Sequence, residues 1–182
     1  MSSTSDSPTP APTVVDGRPR DAADLSPPFE FTDGEGRAVV VAEYDGEFDA
    51  LVEMYVAFDD EGRAQGVPPR SAARVRSWLA DVLAEGHHVV AAHGGRVVGH
   101  AMLLPCPTSH ELAVFVDAAY RLAGIGSALV RALLDCARRC GVDRVWLVVD
   151  RNNRVAVNLY ESVGFEVTAP GLEREMELEL DP

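Results

Sequence analysis

Between an apolar run, ELAVFV, and a helix-like run, SALVRALL, the chain places Arg121, Gly124 and Gly126 in the spacing Arg-x-x-Gly-x-Gly. Glycines just ahead of a helix let backbone N–H groups close on an anion, and the helix dipole adds positive potential at the same point. Arg121 would add a full charge. A diphosphate cradle is one chemistry for this pattern, and an ordinary strand-to-helix turn is the other. A nucleotide-triphosphatase loop is excluded, because it requires Gly-Lys-Ser/Thr and the chain contains no lysine. A dinucleotide fingerprint fits poorly, since Leu129 stands where its third glycine belongs.

The elements that must position this loop can be read from hydrophobic period. RAVVVAEY (37–44) is a strand, DGEFDALVEMYVAF (45–58) a helix, and a second helix follows a turn at 66–69 and stops at Gly86. Residues 87–105 read as a hairpin turning at His93 to Gly95, and SHELAVFV (109–116) as a further strand. Residues 124–141 form an amphipathic helix with Ile125, Leu129, Leu133, Cys136 and Cys140 inward. VDRVWLVVD (142–150) is apolar throughout and reads as a central strand buried on both faces. A short helix closed by Gly164 and two terminal strands complete the order β-α-α-β-β-β-α-β-α-β-β. The terminal REMELELDP alternates and suits either an inner strand or a dimer edge. The fold class is α/β (α+β): a mixed central sheet of six to seven strands with about four flanking helices.

Composition narrows the function. The net charge is −13 and all sixteen basic residues are arginine, so nucleic acid and anionic membranes are unsuitable partners. Such acidity suits a protein kept soluble in concentrated salt, a halophilic-like, acidic-proteome trait. Residues 1–30, rich in Ser, Pro and Asp, read as a disordered tail before a domain at 31–182. No secretion signal or apolar run long enough to cross a membrane is seen, and a cytoplasmic location is expected. Cys106, Cys136 and Cys140 lack metal-ligand spacing, and no metal site is expected.

From Glu111 to Phe165 the chain resembles the GCN5-related N-acetyltransferase (GNAT) superfamily. Arg121-Leu-Ala-Gly124-Ile-Gly126 matches its pyrophosphate motif, and Asn153-x-x-Ala156-x-x-Leu159-Tyr160-Glu161-x-x-Gly164-Phe165 its second signature. The resemblance implies a bulged strand splayed from its parallel neighbour, with acetyl-CoA as co-substrate in the gap. It implies that the backbones of Val114, Phe115 and Val116 meet the thioester and the pantetheine arm. Leu122, Ala123, Gly124, Ile125, Gly126 and Ser127 would wrap the diphosphate beside Arg121, and Asn153 would contact the cofactor arm.

The activity implied is acetyl transfer to a primary amine by direct attack, with Tyr160 as general acid toward the sulfur. Some members carry a glutamate base where this chain has Val148; another branch places Glu or His six residues before the strand-end valine, here His110, with Glu111 on the opposite face unless a bulge exchanges the two. A water chain or another carboxylate is the remaining alternative. The implied partner is a small-molecule amine or a protein or peptide amino group, and Asp59, Asp60 and Glu61 could flank it. Either a monomer or a homodimer is compatible. The alternative is a non-catalytic acyl-CoA-binding sensor.

Overall fold

The structure, a computed structural model, describes residues 26–59 and 68–180. Most of the stretch read as a tail, and with it Asp60 and Glu61, lies outside the described residues. The strands are β1 (Phe29–Thr32), β2 (Ala38–Glu43), β3 (His87–His93), β4 (Arg96–Cys106), β5 (Ser109–Val116), β6 (Arg144–Asp150), β7 (Glu166–Ala169) and β8 (Glu173–Glu179). The helices are α1 (Phe48–Val56), α2 (Ala72–Val82), α3 (Ile125–Arg139) and α4 (Arg154–Ser162). The strands form one sheet in the order β1-β2-β3-β4-β5-β6-β8-β7. All neighbours are antiparallel except β5 and β6.

Strand β1 is the eighth strand, beyond the seven that hydrophobic pattern reveals. It begins at Phe29, so two residues of the expected tail belong to the sheet. The REMELELDP strand is an inner one, between β6 and β7.

Two apolar cores lie on opposite faces. On one, α3 and α4 deliver Ile125, Leu129, Leu133, Val157 and Tyr160 against Val89, Leu103, Leu112, Val145, Leu147 and Met176. Helix α3 is amphipathic over its whole length, and each fully buried leucine contributes about 1.5–3 kcal/mol. On the other face α1 and α2 pack Leu51, Tyr55, Val75 and Leu79 over Val90 and Val97, with Phe115 at the margin.

This second core takes in residues of β3, β4 and β5 but none of β6, which corrects the reading of β6 as buried on both faces. Its Val145, Leu147 and Val149 are buried, whereas Trp146 is half-buried and Val148 is 36% exposed. Cys140 is also exposed, because α3 ends at Arg139 and leaves this residue as its cap. Cys136 is buried as expected, and burial, then the Glu43 carboxylate, push its thiol up to about 12. That keeps it an inert thiol.

A buried polar chain crosses the second core. Tyr55 Oη lies 2.7 Å from His100 Nδ1, His100 Nε2 lies 3.1 Å from His88 Nδ1, and His88 Nε2 lies 2.9 Å from the Glu85 carbonyl. A carbonyl can only accept, so His88 Nε2 donates to it; with both rings neutral, His100 Nε2–H donates to His88 and Tyr55 O–H to His100. Burial, then the His88 charge, lower His100 to about 3. The unfolded chain takes up this proton below the ordinary value of ~6.5 and the folded chain does not, so stability is present above that pH and lost as pH falls. Urea unfolding from neutral to mildly acid pH should therefore show a loss of about 1.4 kcal/mol per pH unit from His100. The loss should be shallower in His100→Gln. Equal slopes would show that the ring is already charged in the folded chain.

Candidate active site

Strands β5 and β6 pair only through His110 with Val145 and Glu111 with Trp146, then part. Beyond that point β5 follows β4 in unbroken register, Cys106 with Ser109 through Gly99 with Val116. The expected bulge in β5 is therefore absent. The sheet's irregularity at this end is instead in the pairing of β3 with β4, at Ala91 and Ala92.

Regular register fixes what faces the gap. Asp117 N–H donates to the Val98 carbonyl. By antiparallel alternation the amide groups of Phe115 also turn to β4, and those of Val114 and Val116 turn to the gap. The Val114 and Val116 side chains rest against the first core.

The loop after β5 leads into α3 through two residues with positive φ, Leu122 (62°) and Gly124 (92°). Leucine in this region is strained, and its side chain is 83% exposed, so no internal packing requires it to adopt that conformation. At the start of α3 that follows, no side chain caps the helix and no acid sits in the first turn. Helices α2 and α4 are capped, by Ser71 and Asn153. Asn153 Oδ1 accepts from Ala156 N–H at 3.2 Å, a structural duty for a residue expected at the cofactor arm.

At Gly124, glycine is needed for its dihedral angle. At Gly126 it is not, because a Cβ there would meet only Val116 and Leu159 side-chain carbons at 3.8 Å. The protein's own packing does not require that space to be empty; a phosphate approaching the backbone would.

The turn between β1 and β2 props this loop. Gly34 N–H donates to the Ala123 carbonyl at 2.9 Å. Asp33 accepts from the Glu35 and Arg37 N–H groups and from Arg37 Nε at 2.7 Å, while Arg37 donates to the Ala119 carbonyl and covers the Tyr120 ring.

Arg121 is engaged elsewhere than expected. Its guanidinium meets Asp59 at 2.9 and 3.3 Å, and its Nε donates to the Val116 carbonyl at 3.2 Å. It braces the end of β5 against the segment after α1.

The three candidate proton-handling residues separate by face. Tyr160 sits on α4 in the first core, 7% exposed and in edge contact with Phe165. Burial pushes its phenol up to about 12. His110 lies on that same face: its ladder partner is Val145 of the first core, and its ring is 6.2 Å from that of His87. Burial, then the His87 charge, hold it below the usual histidine value. Glu111 takes the opposite face, level with Trp146 where the strands part. Among the described residues no cluster fit to hold a metal is found, and no helix is long and apolar enough to cross a membrane.

The chain thus presents a mixed sheet whose one parallel pair opens beside a glycine-led helix with no side-chain cap. Residues 51–165 match the model of the acetyltransferase (GNAT) family, and the chain belongs to that family. A curated relative, N-alpha-acetyltransferase RimI of Mycobacterium tuberculosis, is 44% identical over 85 residues, which cover 44% of this chain and 52% of that protein. The chain thus matches about half the length of that relative. The GNAT domain of S. lividans PAT superposes with a TM-score of 0.70 at 19% identity, covering 87% of this chain and 98% of that one. The acetyltransferase yncA of Salmonella typhimurium, solved with its cofactor acetyl-CoA, superposes with a TM-score of 0.65 at 24% identity, covering 79% and 95%.

Proposed function

We propose that the chain transfers an acetyl group from acetyl-CoA to the α-amino group of a polypeptide, by direct attack of the amine on the thioester. The observation that carries this reading is the parting of β5 from β6 immediately beyond Glu111 and Trp146, with the backbone of Val114 and Val116 turned into the opening. The diphosphate of acetyl-CoA would sit at the loop 122–127, held by backbone N–H groups, and its arm would run along β5 as an added strand does.

Glu111 and Tyr160 lie on opposite faces of the sheet. An amine arriving from the Glu111 face would attack while the sulfur departs toward Tyr160. Glu111 is the base this arrangement favours, ahead of His110, which shares the Tyr160 face. A phenol near 12 would pass its proton uphill to a thiolate of ordinary pKa ~8.5, so Tyr160 acts as a hydrogen-bond donor to the developing charge.

The α-amine suits this modest machinery. With pKa about 8 it is already neutral in about one molecule in ten at pH 7, against about one in 10³ for a lysine. A neighbouring carboxylate, directly or through water, can take the remaining proton. The N-alpha-acetyltransferase relative supports the same acceptor class.

Gly126→Ala tests the cradle and the function together. Alanine in the first turn of α3 should stabilise the fold by about 0.5–1 kcal/mol, since glycine is the poorer helix former. The same methyl should weaken acetyl-CoA binding at least tenfold by calorimetry and slow thiol release with a polypeptide acceptor in proportion. A more stable variant with unchanged acetyl-CoA affinity would move the diphosphate elsewhere. Binding by the native chain without thiol release on any free amino terminus would favour the sensor alternative.

A further inference from the structure

Among the described residues, the face of the sheet that carries Glu111 continues past the opening outside the second core. That core, built by α1 and α2, reaches β5 at Phe115 and includes no residue of β6, β8 or β7. Ladder register places Glu111, Trp146, Glu177 and Glu166 in one row across β5, β6, β8 and β7. Val148 and Glu175 are paired in the row beside it. Glu175 and Glu177 are half-buried, and Trp146 and Val148 leave apolar surface open between the carboxylates. Arg144, at the end of the strand, pairs with Glu179 at 3.5 Å.

Resting on the reading of the chain as an N-terminal acetyltransferase, we propose that this face docks a basic stretch of the acceptor polypeptide, a few residues after its amino terminus. Glu166 and Glu177 stand directly opposite each other on adjacent strands, where like charges repel, and a cation between them would relieve that repulsion. Long basic side chains fit the surface in both parts. Their methylene stems cover Trp146 and Val148, a guanidinium or ammonium can lie on the indole face, and the charged head reaches the carboxylates.

Spacing sets the register. From Glu111 to Glu177 is two strand spacings, about 10 Å, and an extended peptide covers that in about three residues. With the first residue at Glu111, the basic side chains belong at about the fourth and fifth positions. Charge argues against other occupants: a second copy of this chain, at −13, would bring carboxylates onto carboxylates, and nucleic acid would be repelled.

The test uses the full chain and two peptides with the same first three residues, one with arginine and one with glutamate at positions four and five. At low salt the basic peptide should be acetylated with a kcat/KM at least tenfold higher. Glu166→Gln combined with Glu177→Gln should remove roughly fivefold of that preference, the combined effect of two partly exposed ion pairs. Glu177→Arg, the same change of two charges at a single position, should lower the preference by a comparable factor. Fluorescence anisotropy of a labelled basic peptide whose amino terminus is already acetylated reads docking without turnover, and it should weaken by the same factor in the double variant. Equal acetylation of both peptides, or a preference that the double variant leaves unchanged, would overturn the docking face while acetyl transfer stands. Basic-peptide binding that falls in the double variant, with no acetylation of any peptide, would uphold the face and reject the transferase reading instead.

Discussion

Tyr160→Phe should lower the turnover of acetyl transfer by about a hundredfold or more, the cost of one lost donor to developing charge. Its affinity for acetyl-CoA should change by less than a few-fold. The substitution removes one oxygen from a ring that keeps its contact with Phe165 and its place in the core beneath α4, so the melting temperature should barely move. The pH profile carries a second signature. Burial pushes this phenol up to about 12, so it holds its proton throughout the neutral range and the defect should be the same at every pH tested there. A defect confined to alkaline pH would instead mark Tyr160 as a group that ionises during turnover.

Glu111→Gln should behave in the opposite way. At neutral pH its kcat/KM should fall by about a hundredfold, within the range of a lost general base. The loss should shrink as pH rises past about 8, because an α-amine then arrives neutral and needs no base. His110→Ala, on the face opposite Glu111, should lose no more than a few-fold at any pH. Both variants can be followed by thiol release from acetyl-CoA across the same pH series. A large, pH-dependent loss in His110→Ala with little change in Glu111→Gln would exchange their roles.

This pair shows where sequence stops informing. The motif residues Arg121, Gly124, Gly126, Asn153 and Tyr160 are legible because local spacing carries them, and the strand and helix order follows from hydrophobic period. Which of two adjacent residues reaches an acceptor depends on the face each takes, and a single bulge reverses it. The expected bulge in β5 is absent, and with it any exchange of His110 and Glu111.

Long-range pairings were equally hidden. Arg121 is 62 residues from Asp59, and Tyr55 is 45 from His100, so nothing in either neighbourhood announces its partner. Strand β1 escaped for a different reason. FEFT is four residues long and follows two prolines, and its strand character depends on pairing with β2.

The bond from Gly34 N–H to the Ala123 carbonyl has a bearing on how the protein is made. It ties a turn near the start of the chain to the loop that leads into α3, closing a long stretch of intervening sequence. Such closures come at an entropic cost that is recovered only after intervening elements have formed, and contacts of this separation slow folding. On a ribosome the N-terminal hairpin emerges well before the loop it supports. Its β2 edge stays open until β3 follows, and the contact with the loop waits for residues further still along the chain. The loop that leads into α3 would therefore be braced only once the strands between it and that hairpin have paired.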